Sequence, residues 1–358
     1  MGFFNFGGGK NAQNKNYDEL LVQGIKAYNN NAYEQAVVYF DQGVEIQSTS
    51  FECTHSNADR SALCNVLMLR GRSLFMMKKL QEAHFDFMKI YALLGGIAVQ
   101  QDTIKDCKLL RQVCEFGAAT AEQTGDTKKQ KELLEKRLDI SRRIFETTEM
   151  AEDYTELGDS YDYMITISES RDEKILNAEK MKEVFQNLHK RFPDNAHFSE
   201  RLDYASEAVE DQIKAKIADA LKRDDNSGAA SGYEQLANTR MEKALGRKEA
   251  RYEDLDKDIE LFHEAAKYYQ KAGNFTSAIK CLESAIQLRS AIVKATGSDY
   301  ARARLCYSYV MAITTDPTIT KRGEYAQSAY TMLDELEKKR PDDSSLKRLK
   351  DIALRFMY

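Results

Sequence analysis

The chain has 358 residues, 42% hydrophobic and 30% charged, with a formal net charge of −5. That length exceeds the ~250–300 residues over which one compact core usually grows, so several domains or an elongated stack are expected, and the apolar content excludes disorder as the dominant state. Lys and Arg are interspersed with Asp and Glu, not gathered on one stripe, which argues against nucleic acid as a partner.

In chain order, the opening run Met1 to Lys10 holds three phenylalanines and a glycine triplet. Its apolar part is short and lacks a basic lead, so it does not read as a secretory signal. Phe6 stands where a myristoylation motif wants Ser or Thr, and Gly7-Gly8-Gly9-Lys10 lacks the spacing and the following hydroxyl of a phosphate loop. Residues 1–16 are therefore expected to form a flexible leader.

Residues 17–222 carry repeated helical patterns. Only three prolines interrupt the whole chain (Pro193, Pro317, Pro341), so most of the backbone is free to be helical. Gly24, Asn31, Tyr33, Ala36, Phe40 and Gly43 mark an apolar helix, a polar break and a second apolar helix. The rhythm returns at Gly71, Leu80, Ala83 and Phe87, and again at Ala266, Tyr269, Gly273, Asn274, Phe275, Ala278, Leu282 and Ala285. Small residues such as Gly24, Gly71 and Ala278 suit close helix crossings, while Tyr33, Phe40, Phe87 and Phe275 are expected to fill the space between pairs. Between the first two pairs, Ser48 to Arg60 reads as an insertion that holds Cys53 and His55.

A longer duplication lies over this rhythm. Gly125, Leu134 and Leu138 align with Gly273, Leu282 and Ile286 at a separation of 148, as do Ala178, Phe185 and Pro193 with Ala326, Leu333 and Pro341. Between these blocks, Tyr161-Asp162-Tyr163-Met164 aligns with Tyr307-Ser308-Tyr309-Val310 at 146, implying a two-residue gain in a loop. Residues 223–232, polar and rich in Gly and Ser, are expected to form a hinge or loop, with further helical repeats over 233–358. After Pro341, helix-start chemistry precedes Leu346, Leu349, Ile352, Ala353 and Phe356, the pattern of a closing cap helix.

The recurring order of small residue, turn, aromatic, alanine and aromatic resembles the tetratricopeptide repeat superfamily across most of residues 17–356. The resemblance implies an all-α fold: a right-handed α-solenoid of antiparallel helix pairs with a C-terminal cap helix. It also implies a face, lined by the first helix of each pair, that receives an extended or helical segment of a partner protein. Spacing from the crossing glycines places Leu21, Ile25 and Tyr28 on that face in the first pair, and Met68, Arg72, Phe75 and Met76 in the second. This apolar, methionine-rich end suits adaptable binding of an amphipathic helix. Farther along, Glu115, Glu122, Thr155, Asp159, Asp162, His263, Lys267 and Gln270 make the face acidic to mixed, which favours a partly basic segment. Chaperone-binding members clamp a terminal carboxylate with Lys and Asn on the first helix; Leu21 and Ile25 stand there, so no such clamp is expected.

Reactive constellations are sparse. Five histidines, including His263, form no H-E-x-x-H, and Cys53-Thr54-His55 has no second ligand pair, so no metal or cofactor is expected. The six cysteines contain no C-x-x-C and read as reduced core residues of a cytoplasmic protein. No run of about 18 apolar residues suggests an integral membrane segment. The expected function is a non-catalytic scaffold or adaptor. The alternative is a peptide-sensing regulator that moves about the 225–232 hinge and acts through protein contacts, with no DNA-binding domain ahead of its repeats. An enzyme would need buried, converging carboxylates around a histidine such as His263.

Overall fold

The structure, a computed structural model, describes residues 9–245, 252–316 and 320–357, with side chains from Asn16 onward except those of Leu245 and Glu253. Residues 1–8 of the expected leader, and Pro317, lie outside the described residues. The described residues are helical apart from short connections and one 3-10 turn at Gln101–Thr103. The chain divides into two compact units, one ending at Ala205 and the other beginning at Ser206.

The first unit contains α1 (Gly9–Asn29), α2 (Tyr33–Thr54), α3 (Asn57–Met76), α4 (Leu80–Leu94), α5 (Ile104–Thr124), α6 (Thr127–Thr148), α7 (Ala151–Ile167) and α8 (Arg171–Arg191). It also holds the first part of α9 (Ala196–Lys222). The second contains the remainder of α9, then α10 (Asn226–Leu245), α11 (Tyr252–Lys271), α12 (Phe275–Thr296), α13 (Asp299–Thr315), α14 (Arg322–Lys339) and α15 (Ser344–Arg355). From α1 to α8 and from α10 to α15 each helix packs on the next, and α15 lies against both α13 and α14 as a cap.

Glycine corners stop these helices and side-chain caps start them. Gly125 and Gly273 close α5 and the α11 corner at φ +78° and +75°, conformations that cost a side-chain-bearing residue energy. Immediately afterwards, the side chains of Asp126 and Asn274 accept from the backbone N–H of Lys129 and Ser277 at 2.9 and 3.1 Å, satisfying donors that the next helix leaves open.

Packing within a pair sets a small residue of the first helix against a large one of the second. Any side chain at Gly24 would collide with the ring of Phe40, and a Cβ at Gly71 would come within 2.8 Å of Phe87. Phe40 and Phe87 are fully buried, but each is seated on the glycine of its own pair and not only in the space between pairs. Tyr33 is only partly buried, edge-on to Tyr28, and Phe275 is 49% exposed, because it opens α12 at the solvent end of its corner and not in the layer between pairs.

Four sequence expectations change. Residues 9–16 of the expected leader are the first turns of α1. Residues 226–232 are the first turns of α10, leaving only Arg223–Asp225 between helices. Ala229 and Ala230 are fully buried and a Cβ at Gly232 would fall 2.5 Å from Ile217, so this run of small residues is a close helix crossing, not a linker. The Ser48–Arg60 stretch is no inserted loop: α2 runs on to Thr54, and α3 starts at Asn57 after a corner in which the Ser56 side chain accepts from Asp59 N–H at 3.1 Å. The duplication keeps one register. Thr127–Thr148 and Phe275–Thr296, like Ala151–Ile167 and Asp299–Thr315, are offset by 148, with no two-residue gain between them. Tyr161 corresponds to Tyr309, and the buried Leu157 and Ile165 to the buried Leu305 and Ile313.

Candidate functional site

The residues singled out on α1 and α3 divide into surface and core. Ile25 and Met76 are 38% and 47% exposed. Leu21, Tyr28 and Phe75 are partly buried against the first unit's core. Met68 is 3% exposed and belongs to that core, since α3 is covered on several sides by its neighbours; it does not line the face as expected. Arg72 is partly buried, its guanidinium carbon 5.9 Å from the centre of the Tyr28 ring and 5.1 Å from that of Phe116. Its Nε is buried without a hydrogen-bond partner.

Two members of this surface escape the spacing argument. Phe116, on α5, meets Phe75 edge-on at 5.9 Å and stacks on Phe87 at 5.7 Å, closing the aromatic bed beneath Arg72. Lys78, in the α3–α4 corner at φ +62°, sets its ammonium 5.8 Å from the Phe75 ring centre. An aromatic residue directly before the crossing Gly117 was the available signal for Phe116; nothing local marks Lys78.

The carboxylates farther along are already engaged. Glu115 accepts from the buried Arg137 at 3.3 Å and from the Tyr163 hydroxyl at 3.2 Å. Asp159 pairs with Arg201, and Asp162 accepts from Tyr204 at 3.1 Å. Burial pushes the Asp162 carboxyl above its usual range, against the pull of the Tyr204 hydroxyl. Thr155 turns back to the Ala151 carbonyl at 3.2 Å. Glu122, exposed in the last turn of α5, has no such partner.

In the second unit, Lys267 pairs with Glu264 at 3.2 Å and Gln270 donates to Thr315. His263 is 4% exposed and sits in a denser network. Its Nε2 lies 3.1 Å from the Ser308 hydroxyl and 3.3 Å from Arg289, and its Nδ1 3.4 Å from Glu260. With Nε2 accepting, the ring proton belongs on Nδ1. Arg289, 1% exposed, also donates to Ser308 at 2.8 Å and to Asp256 at 3.0 Å, and pairs with Glu260. Arg304 binds the same two carboxylates. Burial and the two arginines drive the His263 imidazole below its ordinary range, although Glu260 opposes them. Burial works against the Glu260 carboxylate, yet His263 and Arg289 together hold it down at about 2.

A cavity of about 530 Å³ borders this network and is lined by Asp256, Arg289 and Arg304 but not His263. Carboxylates do converge near a buried histidine, the feature that would favour an enzyme, but both are committed to arginine: Asp256 and Glu260 each pair with Arg289 and Arg304. The buried cysteines are equally inert: burial pushes the thiols of Cys64, Cys114, Cys281 and Cys306 up to about 12. Among the described residues, no helix is long and apolar enough to cross a membrane.

No protein-family model matches the sequence, and no curated protein does. Among solved structures, the chain is similar to a tetratricopeptide repeat protein from Parabacteroides merdae, at 14% identity over 95% of this chain and 99% of the other, with a TM-score of 0.32. It is similar to the TPR2AB domain of yeast Sti1 in a pHSP90 complex (14% identity, 94% and 98% coverage, TM-score 0.34). A third likeness is to BtubC from P. vanneervenii (16%, 73% and 92%, 0.32). What decides the architecture is the packing inside the chain. Gly24 meets Phe40, Gly71 meets Phe87 and Gly117 meets Leu133 at one sequence spacing, at which the fully buried Ala266 and Leu282 also stand. These repeated helix pairs resemble those of tetratricopeptide proteins. Their packing accounts for the glycines and buried aromatics as fold determinants, and leaves the exposed side chains of α1 and α3 outside that requirement.

Proposed function

We propose that the protein is a non-catalytic interaction scaffold, in which the first-helix face of the first unit receives a peptide or helical segment of a partner protein. The observation that supports this reading is the Arg72 surface. Helix pairing needs Phe40, Phe87 and the crossing glycines, but it does not need Ile25 and Met76 left open beside an unpaired guanidinium held over two rings. Such apolar side chains around a positioned polar group are typical of a peptide-receiving surface. With Leu21 and Ile25 at the clamp positions, the tails of heat-shock chaperones are not the expected ligand. Six unpaired cysteines suit a reducing cytoplasm.

The test is quantitative capture of partner proteins by the full chain, beside an Ile25→Ser/Met76→Ser variant. Both side chains are exposed, so helicity and melting temperature should stay unchanged while captured protein falls about tenfold, the loss expected from removing hot-spot contacts. Undiminished capture would refute the reading.

A further inference from the structure

We infer that the partner segment is acidic: an amphipathic stretch that sets an Asp or Glu carboxylate on Arg72 and apolar side chains on Ile25 and Met76. This rests on the first-helix face being the docking surface. Composition alone suggested the opposite charge, but the acids counted there are mostly spent within the fold. Glu115 is taken by Arg137 and Tyr163, Asp159 by Arg201, and Asp162 by Tyr204. Of these four acids a basic segment would find only Glu122 open, and that side chain stands in water, where screening weakens it.

The cations are the reverse case. Arg72 forms no ion pair among the described residues; the Tyr28 and Phe116 rings lie against the guanidinium, and its Nε is buried with no acceptor. A guanidinium carries five in-plane donors and no acceptor, so rings cannot satisfy it; the Nε is covered, and a docking carboxylate would pair with the Nη groups. The aromatic bed also restricts the side chain, lowering the entropy lost when a carboxylate docks. Lys78, over Phe75 and likewise in no ion pair, adds a second positive charge at the same end. A partly buried cation held over two rings and left without a counter-ion discriminates more strongly than an exposed glutamate, so Arg72 decides the sign.

The experiment selects a displayed library of ~12-residue segments, randomised at polar positions, on the immobilised full chain. Winners should be enriched in Asp and Glu, and synthetic copies should lose about tenfold in affinity on Arg72→Gln and more on Arg72→Glu, with melting temperatures of both variants checked. Selection on the Arg72→Glu chain should enrich Lys and Arg instead. Winners that depend on Ile25 and Met76 but are neutral or basic on the native chain would overturn the acidic partner while leaving the docking face standing. Winners indifferent to Ile25 and Met76, or no enrichment at all, would remove the docking face itself.

Discussion

The block α5–α8 and the block α11–α14 follow one register at an offset of 148 residues, yet their interhelix charges differ: a lysine and a glutamate of the first become an aspartate and an arginine in the second, and a second glutamate becomes a neutral histidine. Lys108, Glu115 and Glu156 of the first block correspond to Asp256, His263 and Arg304 of the second. In the first, Arg137 reaches from α6 to Glu115, Glu156 and Ser160, and Lys108 and Arg111 approach the fully buried Asp153. In the second, an arginine at the Arg137 position would face His263 and Arg304. Ala285 stands there, and the arginine appears one turn later as Arg289, where it faces Asp256 and Glu260 and still reaches Ser308, the counterpart of Ser160. The buried Arg111–Asp153 contact has become Ile259 and Ala301, with no charge. The lesson is that these interhelix networks change as sets: a buried charge is tolerated only with its partner, so one inversion carries the others along.

The comparison can be broken most forcefully at the buried arginines. Arg137→Ala and Arg289→Ala each leave carboxylates without their buried partner and should cost about 3–5 kcal/mol, read by urea unfolding, with the first local opening confined to the unit that carries the change. The two networks should also part company in acid. The folded His263 binds its proton less readily than the unfolded imidazole at 6.5, so the unfolded state takes the proton first and the second block loses stability as pH falls below that value. Glu260, lowered from 4.5 to about 2, contributes fully above 4.5 and withdraws its share as pH drops through that window. Amide exchange against pH should show α11–α13 loosening near pH 6, and His263→Asn should abolish that early phase; an unaltered profile in the variant would assign the loosening elsewhere.

A smaller effect sharpens the comparison in the apolar layer. Gly158 lies against Phe185, and the same two positions of the second block hold Cys306 and Leu333, a larger residue facing a smaller one. Gly158→Cys should overpack and cost about 1–3 kcal/mol, and Phe185→Leu should leave a void worth about 1–2 kcal/mol. Together they reproduce the second block's pair, so their double-mutant cycle should show a stabilising coupling; simple additivity would argue against volume exchange. The smallest change is at the corners, where Gly125→Ala and Gly273→Ala should each cost about 1–2 kcal/mol in thermal unfolding, equally in the two blocks, because both hold the same left-handed backbone.

Much of this was legible in the sequence, and the rest was hidden for physical reasons. Crossing glycines and their buried aromatics declare themselves because only a residue without a side chain fits against Phe40 or Phe87. The 148-residue register was readable from Leu134 and Leu282 but was miscounted at Tyr161, where Tyr-x-Tyr in both blocks offered a better local match than the packing register. The Gly-Ser run at 227–232 looked like a linker because a close helix crossing and a flexible chain ask for the same small residues. On the candidate face, spacing pointed to Leu21, Ile25, Tyr28, Met68, Arg72, Phe75 and Met76, but could not see that Met68 is covered, that Phe116 completes the bed, or that most of the acids singled out on α5 and α7 are already paired. Pairing between side chains tens of residues apart has no local signature.

The most direct test of the claim that the networks change as sets is a graft. Ala285→Arg with Arg289→Ser places the arginine of the second block where the first block has it, among His263 and Arg304. That variant should be several kcal/mol less stable than the parent in urea. Adding Asp256→Lys, Ile259→Arg, Glu260→Gln, His263→Glu, Ala301→Asp and Arg304→Glu should restore much of the loss. A two-residue graft as stable as the parent, or a complete graft no better than the partial one, would contradict the account.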